Sequence, residues 1–130
     1  MAEAKRLLIV DDEEAVTFSL FQIFINIPIE CEVLTAADGT EALKKIEAGE
    51  FDLIITDITM PGINGLDLLS MIKSKHPKTR VIVITAYGSD ERKEQAINRG
   101  AEHYIEKPFD IYELKNLVIK LLWYIYGISR

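Results

Sequence analysis

Five short apolar runs that alternate with longer segments of helical character constrain the fold of this chain most strongly. The runs occupy residues 7–10, 33–36, 53–56, 81–84 and 101–105. Three of them are nearly continuous in Leu, Ile and Val, which is typical of parallel strands covered on both faces. The last, where His103 alternates with Tyr104, is typical of an edge strand. This alternation predicts right-handed crossovers and an open, doubly wound α/β sheet. At 130 residues, the chain is expected to form one domain over residues 1–130.

The segments between the strands carry recognisable helix ends. Two capping boxes are predicted where an acid is followed three residues later by Glu: Asp38 with Glu41, and Asp110 with Glu113. Gly49 and Gly100 stand where the glycines that follow helices belong. Pro28 and Pro77 are predicted to end the first and third helices.

The composition excludes several classes of function. Fifteen Lys and Arg against 21 Asp and Glu give a formal charge of −6, which argues against a nucleic-acid-binding surface. The single Cys31 excludes a disulfide within the chain, and Glu30 and Glu32 beside it would raise the pKa of its thiol, so an idle thiol is expected. The sequence contains no run of about 18 apolar residues, which is the length that could span a bilayer, and no signal-peptide core is visible. We therefore expect a cytoplasmic protein without a membrane contact.

Polar residues with distinct chemistry follow four of the five predicted strands. Asp11 and Asp12 follow the first strand, Asp57 the third and Thr85 the fourth, while the fifth leads to Lys107. In open α/β sheets, ligands bind outside the carboxyl ends of the strands. Three carboxylates, a hydroxyl and an ammonium are therefore expected at one edge of the sheet.

Such a cluster indicates metal-assisted phosphoryl chemistry. Carboxylates that lie a few ångströms apart raise one another's pKa, and a hard divalent cation relieves this repulsion. Mg²⁺ typically takes one or two carboxylates together with water and phosphate oxygens. Lys107 supplies a compact positive charge for a phosphoryl group, and Thr85 supplies a hydroxyl donor. A carboxylate nucleophile beside a metal is the arrangement that forms an aspartyl phosphate.

The motifs at these strand ends resemble those of the receiver domain of two-component response regulators. They are Val10-Asp11-Asp12-Glu13, Thr56-Asp57-Ile58-Thr59-Met60-Pro61-Gly62, Ile84-Thr85-Ala86 and Lys107-Pro108-Phe109. Their order and spacing match the family along essentially the whole chain. The resemblance implies a flavodoxin-like parallel sheet of five strands in the order 2-1-3-4-5, for which a member of this family is a known example. It also implies a cis peptide bond between Lys107 and Pro108.

The resemblance assigns a phosphoacceptor and a metal site. Asp57 would be the phosphoacceptor and would also contact Mg²⁺. Asp12 would bind Mg²⁺ directly and Asp11 mostly through water, with the backbone carbonyl of Thr59 as a further ligand.

It also assigns the groups that bind the phosphoryl group and respond to it. Lys107 would pair with Asp57 at rest and with the phosphoryl group afterwards. Thr85 and the amide of Ala86 would bind phosphoryl oxygens. Tyr104 would turn inward when Thr85 moves toward the phosphate, and half-buried packing on an edge strand is the alternative explanation for this tyrosine. Glu13 is not assigned to the site, because an acid in the first turn of a helix is stabilised by the helix dipole.

The resemblance implies partners as well. The donor would be a sensor histidine kinase or a phosphotransfer protein, and slow autodephosphorylation would reset the domain. The first helix carries apolar residues beyond one buried stripe: Phe18, Phe21, Phe24 and Ile25. The last helix carries Trp123, Tyr124 and Tyr126 around its core stripe. These side chains either complete the core or meet partners; in the family the first helix meets the kinase, and we expect homodimerisation through the last helix.

Two other functions use similar chemistry. A turnover phosphatase of the haloacid-dehalogenase type would carry a second acid two residues after Asp57, and Thr59 stands there instead. A flavin or nucleotide binder would carry glycines after the first strand, where this chain has Asp11-Asp12-Glu13-Glu14. A signalling switch is therefore favoured.

The output of the signal is left open. The chain ends at Arg130, shortly after the fifth helix, and contains no effector domain. It is either a free-standing receiver or a receiver cut from a longer transcriptional regulator or hybrid kinase.

Overall fold

The computed structural model describes residues 4–128, and the side chains of residues 4–123, in which strands and helices alternate as predicted. The strands are β1 Lys5–Val10, β2 Cys31–Ala36, β3 Leu53–Asp57, β4 Arg80–Thr85 and β5 His103–Glu106. The helices are α1 Glu14–Phe24, α2 Gly39–Ala48, α3 Gly65–Lys75, α4 Asp90–Asn98 and α5 Ile111–Ile128. Every predicted strand is confirmed, with bounds that shift by one to two residues at most ends.

The described strands form a parallel sheet in the order β2-β1-β3-β4-β5, which confirms the expected fold class. Successive strand residues face opposite sides, so Leu8 packs with α2, α3 and α4 on one face, and Leu7 packs with α1 and α5 on the other. Both faces of the three central strands are therefore buried. Their apolar runs are continuous for that reason. β5 pairs only with β4 among the described strands and is the predicted edge strand.

The predicted caps begin α2 and α5. The Asp38 carboxylate accepts from the Glu41 amide at 2.8 Å, and the Glu41 carboxylate accepts from the amide of Ala37, one residue before the cap. That bond and the nearby Lys45 ammonium lower the pKa of Glu41. The Asp110 carboxylate accepts from the amides of Tyr112 and Glu113.

One expectation for the first helix is wrong. α1 ends at Phe24, well before Pro28, so the proline does not set its end. Of the apolar residues beyond the expected stripe, Phe24 is fully buried and completes the core, whereas Phe18 is 62% exposed. Pro77 does stop α3, because His76 closes that helix directly before it. None of the described helices is long and apolar enough to cross a membrane.

The start of α3 packs tightly against the end of β3. The Gly65 amide donates to the Ile58 carbonyl at 3.0 Å. A Cβ on Gly65 would lie 2.3 Å from the Ile58 Cα and 2.4 Å from the carbonyl oxygen of Asp57. Glycine at this position therefore allows the helix to approach the backbone that carries Asp57.

We expect Gly65→Ala to lower the free energy of unfolding by at least about 2 kcal/mol, because backbone atoms cannot move aside as a flexible side chain can. Gly49→Ala is the matched control, since its added Cβ would meet only the flexible end of Arg6, and its effect should stay below about 1 kcal/mol. Urea denaturation followed by circular dichroism measures both variants. Equal losses of stability would contradict the tight approach at Gly65.

Candidate functional site

Three aspartates meet at the carboxyl edge of the sheet, as predicted. Asp11 and Asp12 directly follow β1, and Asp57 is the last residue of the neighbouring β3. Each can offer a carboxylate oxygen within 4.8 Å of the other two. Asp11 and Asp57 are buried, whereas Asp12 is exposed to solvent.

Local turns orient the two buried carboxylates. One oxygen of Asp11 accepts from the Glu13 amide, and one oxygen of Asp57 accepts from the Thr59 amide, both at 2.8 Å. An aspartate that binds the amide two residues ahead forms an Asx-turn. Each turn fixes one carboxylate oxygen and leaves the other for a tertiary contact.

The Lys107 ammonium makes that contact. It donates to the second oxygen of Asp11 at 2.8 Å, to the second oxygen of Asp57 at 3.1 Å and to Glu13 Oε1 at 2.8 Å. The Lys107 amide donates to the Thr85 carbonyl at 2.7 Å, which fixes its backbone against the end of β4. The peptide bond that follows Lys107 is cis, as the resemblance implies.

Burial and charge shift two pKa values in this pocket. Burial raises the pKa of Asp11, and the charge of Asp57 adds to this, while the Lys107 ammonium and the Glu13 amide oppose it. Partial burial by itself lowers the pKa of Lys107, but its bonds to Asp11, Glu13 and Asp57 outweigh this and raise its pKa. The pocket therefore holds a permanently charged ammonium and an excess of carboxylates.

Thr85 lies buried beside Asp57, at the end of the adjacent strand. Its Oγ1 accepts from the Tyr87 amide at 3.1 Å. A hydroxyl that accepts from an amide keeps its own proton for another acceptor. Ala86, the next residue, is exposed at the same strand end.

Tyr104 connects the edge strand to the start of α4. Its ring is half-buried against the core on the α2, α3 and α4 face. Its hydroxyl accepts from the Ser89 amide at 3.3 Å, and Ser89 caps α4 through a bond from the Arg92 amide to its side chain. The expected packing is present together with a polar contact to α4.

A family model described as the response regulator receiver domain matches residues 7–119. The chain belongs to this family. This range includes strands β2 to β5 and most of β1. It also includes the pocket residues Asp11, Asp12, Glu13, Asp57 and Lys107. The chain is thus a receiver domain, a signalling domain of two-component systems.

Individual relatives support this membership. The chain is 37% identical over 119 residues to the DNA-binding transcriptional regulator NtrC of Azospirillum brasilense, covering 92% of this chain and 24% of that protein. It is 36% identical to a solved CheY-like receiver domain protein from Methanospirillum hungatei JF-1, with a TM-score of 0.81 and coverage of 92% and 94%. A chain in the CheX-CheY-BeF3-Mg²⁺ complex from Borrelia burgdorferi is 32% identical, with a TM-score of 0.81 and coverage of 91% and 89%. The receiver spans about a quarter of the length of curated relatives such as NtrC.

The donor set of the pocket fits Mg²⁺. Carboxylate oxygens are the hard ligands that this cation prefers, and Asp11, Asp12 and Asp57 bring three of them together. A cation there would offset the negative charge that Lys107 alone leaves unbalanced. Thr59 is bound to Asp57 through its amide, and the role of its carbonyl as a ligand stays a prediction.

Glu13 is the residue that the sequence reasoning missed. It is the N-cap residue of α1 rather than part of its first turn, and its carboxylate binds Lys107. Its position beside the aspartate pair, at the edge where Lys107 was expected, is the signal that could have found it.

The expectation for Cys31 is confirmed. Burial raises the pKa of its thiol to about 11, with smaller contributions from the charges of Asp52 and Glu32. The fold brings Asp52 near the thiol, and its charge raises the thiol pKa, an effect that was expected of Glu30. A thiol with this pKa is unreactive at neutral pH.

Asp11→Asn removes a carboxyl whose pKa lies above its ordinary value of 3.8. A raised pKa means that the folded state favours the protonated form, so this group's contribution to stability is lost as the pH rises through the folded-state pKa. The variant does not ionise there. In the absence of Mg²⁺, its free energy of unfolding relative to the parent protein should therefore increase as the pH rises from about 4 toward neutrality.

Urea denaturation at several pH values measures this difference. Glu94→Gln, on the exposed surface of α4, is the control for the loss of one negative charge. If Asp11→Asn instead loses stability relative to the parent as the pH rises, the electrostatic assignment is wrong.

Proposed function

We propose that Asp57 accepts a phosphoryl group from the phosphohistidine of a sensor histidine kinase or phosphotransfer protein. The observation that carries this proposal is the contact of Lys107 with Asp57, 3.1 Å apart, beside Asp11 and Asp12. This pocket combines a nucleophile, a fixed positive charge and ligands for a cation.

The transfer uses an oxygen of Asp57 as the nucleophile. This oxygen forms a bond to phosphorus while the bond from phosphorus to the histidine nitrogen breaks. The other nitrogen of the phosphohistidine ring is protonated before the transfer, so when the phosphorylated nitrogen keeps the electron pair the donor leaves as neutral imidazole. The Lys107 ammonium, 3.1 Å from an oxygen of Asp57, offsets the charge of the phosphoryl group.

Mg²⁺, held by Asp11, Asp12, Asp57 and the backbone carbonyl of Thr59, would supply further neutralisation of the phosphoryl oxygens. The solved complex from Borrelia burgdorferi contains CheY together with BeF3 and Mg²⁺, and this similarity supports the same cofactor for the present chain.

The phosphoryl group shifts a two-state equilibrium through Thr85 and Tyr104. The Thr85 hydroxyl and the Ala86 amide bind phosphoryl oxygens, and movement of Thr85 lets Tyr104 turn inward. The bond from the Ser89 amide to the Tyr104 hydroxyl supports a coupling between this tyrosine and α4. A ligand changes such an equilibrium by its difference in affinity for the two states.

The acyl phosphate is expected to persist and to hydrolyse slowly. Thr59 occupies the position where a turnover phosphatase carries its general acid and base, and in the described chain its amide is bound to Asp57. The receiver therefore acts as a switch that is reset slowly rather than as an enzyme with rapid turnover.

The proposed output lies outside this domain. We assign residues 1–130 to a single receiver domain without an effector domain. The receiver spans about a quarter of the length of NtrC of Azospirillum brasilense. The output could therefore be carried by an effector domain joined to the receiver in a longer regulator, or by a separate partner protein.

Replacing the phosphoacceptor tests the proposal. Asp57→Asn should abolish labelling by acetyl phosphate in the presence of Mg²⁺, because an amide oxygen is a poor nucleophile, and mass spectrometry of the intact protein measures the label. Asp90→Asn, an exposed residue at the start of α4, should label like the parent protein. Full labelling of Asp57→Asn, or labelling of the parent that is unaffected by chelation of Mg²⁺, would contradict the assignment.

Homodimerisation through α5 remains a prediction that rests on its apolar surface. Trp123 is 55% exposed, and Tyr112 is also exposed, while the side chains of Tyr124, Ile125 and Tyr126 lie outside the described residues. We expect sedimentation equilibrium to give a concentration-dependent mass that increases with beryllofluoride and Mg²⁺. A concentration-independent monomer in both states would remove this prediction.

A further inference from the structure

Glu13 makes a contact that its place in the helix does not explain. An N-cap residue normally accepts a hydrogen bond from the amides of the first turn through its side chain. The Glu13 carboxylate makes no such bond within the described chain and instead accepts from Lys107 Nζ at 2.8 Å. Its side chain therefore interacts with the pocket and not with the helix.

The Lys107 ammonium has three N–H groups, which match its bonds to Asp11, Glu13 and Asp57. The bond to Asp57, the proposed phosphoacceptor, is the longest at 3.1 Å. A phosphoryl group on Asp57 adds new acceptor oxygens, and the bond that Lys107 gives to Asp57 can pass to one of them. A second bond from Lys107 to the phosphoryl group requires the release of Asp11 or Glu13.

The two remaining partners differ in how easily they are released. The Asp11 side chain is 0% exposed, so a carboxylate that Lys107 released could not turn into water to replace the lost bond, which is costly. The Glu13 side chain is 57% exposed and can turn into water. An exposed ion pair of this kind contributes little to stability. Glu13 is therefore the partner whose loss costs least.

We propose that Glu13 is a positioning residue that holds Lys107 in its resting arrangement and releases it when Asp57 is phosphorylated. This inference rests on the proposed phosphoacceptor role of Asp57. Glu13 favours the unphosphorylated state, since its bond to Lys107 must break before the ammonium can give a second bond to the phosphoryl group.

Three substitutions separate the contact from the charge. Glu13→Gln removes the charge. Glu13→Asp keeps the charge but shortens the side chain by one methylene, roughly 1.5 Å, which takes the carboxylate beyond hydrogen-bond distance of Lys107. Glu14→Gln removes a neighbouring acid that lies along the same groove as Asp11 and Asp12 and has no hydrogen bond to Lys107 in the described structure.

The first readout is the affinity for beryllofluoride, a phosphoryl mimic, measured by calorimetric titration at saturating Mg²⁺. We expect Glu13→Gln and Glu13→Asp to bind it about two- to fivefold more tightly than the parent protein, as the loss of one partly exposed ion pair implies. Glu14→Gln should bind it within twofold of the parent.

The second readout needs neither metal nor phosphoryl mimic. In the metal-free protein, carbon-13 relaxation of the Lys107 ε-methylene reports how tightly the ammonium is held. Both Glu13 variants should lower the order parameter of this group, and Glu14→Gln should leave it unchanged.

The outcomes are distinct. If the parent binds no beryllofluoride, the proposed function fails, and the inference fails with it. If the parent binds it but Glu13→Asp behaves like the parent, or Glu14→Gln matches Glu13→Gln, only the total charge matters and the positioning role is overturned. Weaker binding by Glu13→Gln also overturns it, because Glu13 would then support the phosphorylated state.

Discussion

The ion pairs of Lys107 with Asp11, Glu13 and Asp57 join residues 96, 94 and 50 positions apart in the sequence. They connect the end of β5 to the ends of β1 and β3, so the geometry of the site depends on them. One ammonium faces these three carboxyl groups, and Asp12 adds a fourth to the same pocket, so negative charge is left unbalanced. A cation or a rearrangement of Lys107 changes this balance, and the proposed chemistry uses both.

The sheet makes these contacts possible. In the order β2-β1-β3-β4-β5, the strands that end in Asp57 and Thr85 are neighbours, and β1 lies directly on the other side of β3. Gly65 brings the start of α3 against the backbone at Asp57. The Asx-turns at Asp11 and Asp57 then direct one oxygen of each carboxylate toward Lys107. The strand order, the Asx-turns and the charge of Lys107 therefore all determine where the carboxylate oxygens of Asp11 and Asp57 lie.

The strands, the two caps and the meeting of Asp11, Asp57 and Lys107 could be predicted from the sequence, because buried parallel strands and cap spacings are local patterns. Strand order came from the family resemblance, since periodicity does not specify which strands are neighbours. The contact of Glu13 was not predicted, because a long, exposed side chain reaches a partner set by tertiary structure, and its position beside Asp11 and Asp12 was the one local indication of it. Whether Phe24 completes the core could not be decided from the sequence, because the contact of α1 with the sheet and α5 determines which of its faces is covered.

The dependence of unfolding free energy on Mg²⁺ concentration tests the central claim most directly, namely that the pocket is a cation site balanced by Lys107. A ligand that binds only the folded state adds RT ln(1 + [L]/Kd) to stability. We predict that stability rises by about 1.4 kcal/mol for each tenfold increase in Mg²⁺ above its Kd. In Asp12→Asn, which lacks an exposed ligand of the cluster, the rise should begin at higher Mg²⁺ concentration. A free energy of unfolding that stays flat across Mg²⁺ concentrations in the parent protein would contradict the account.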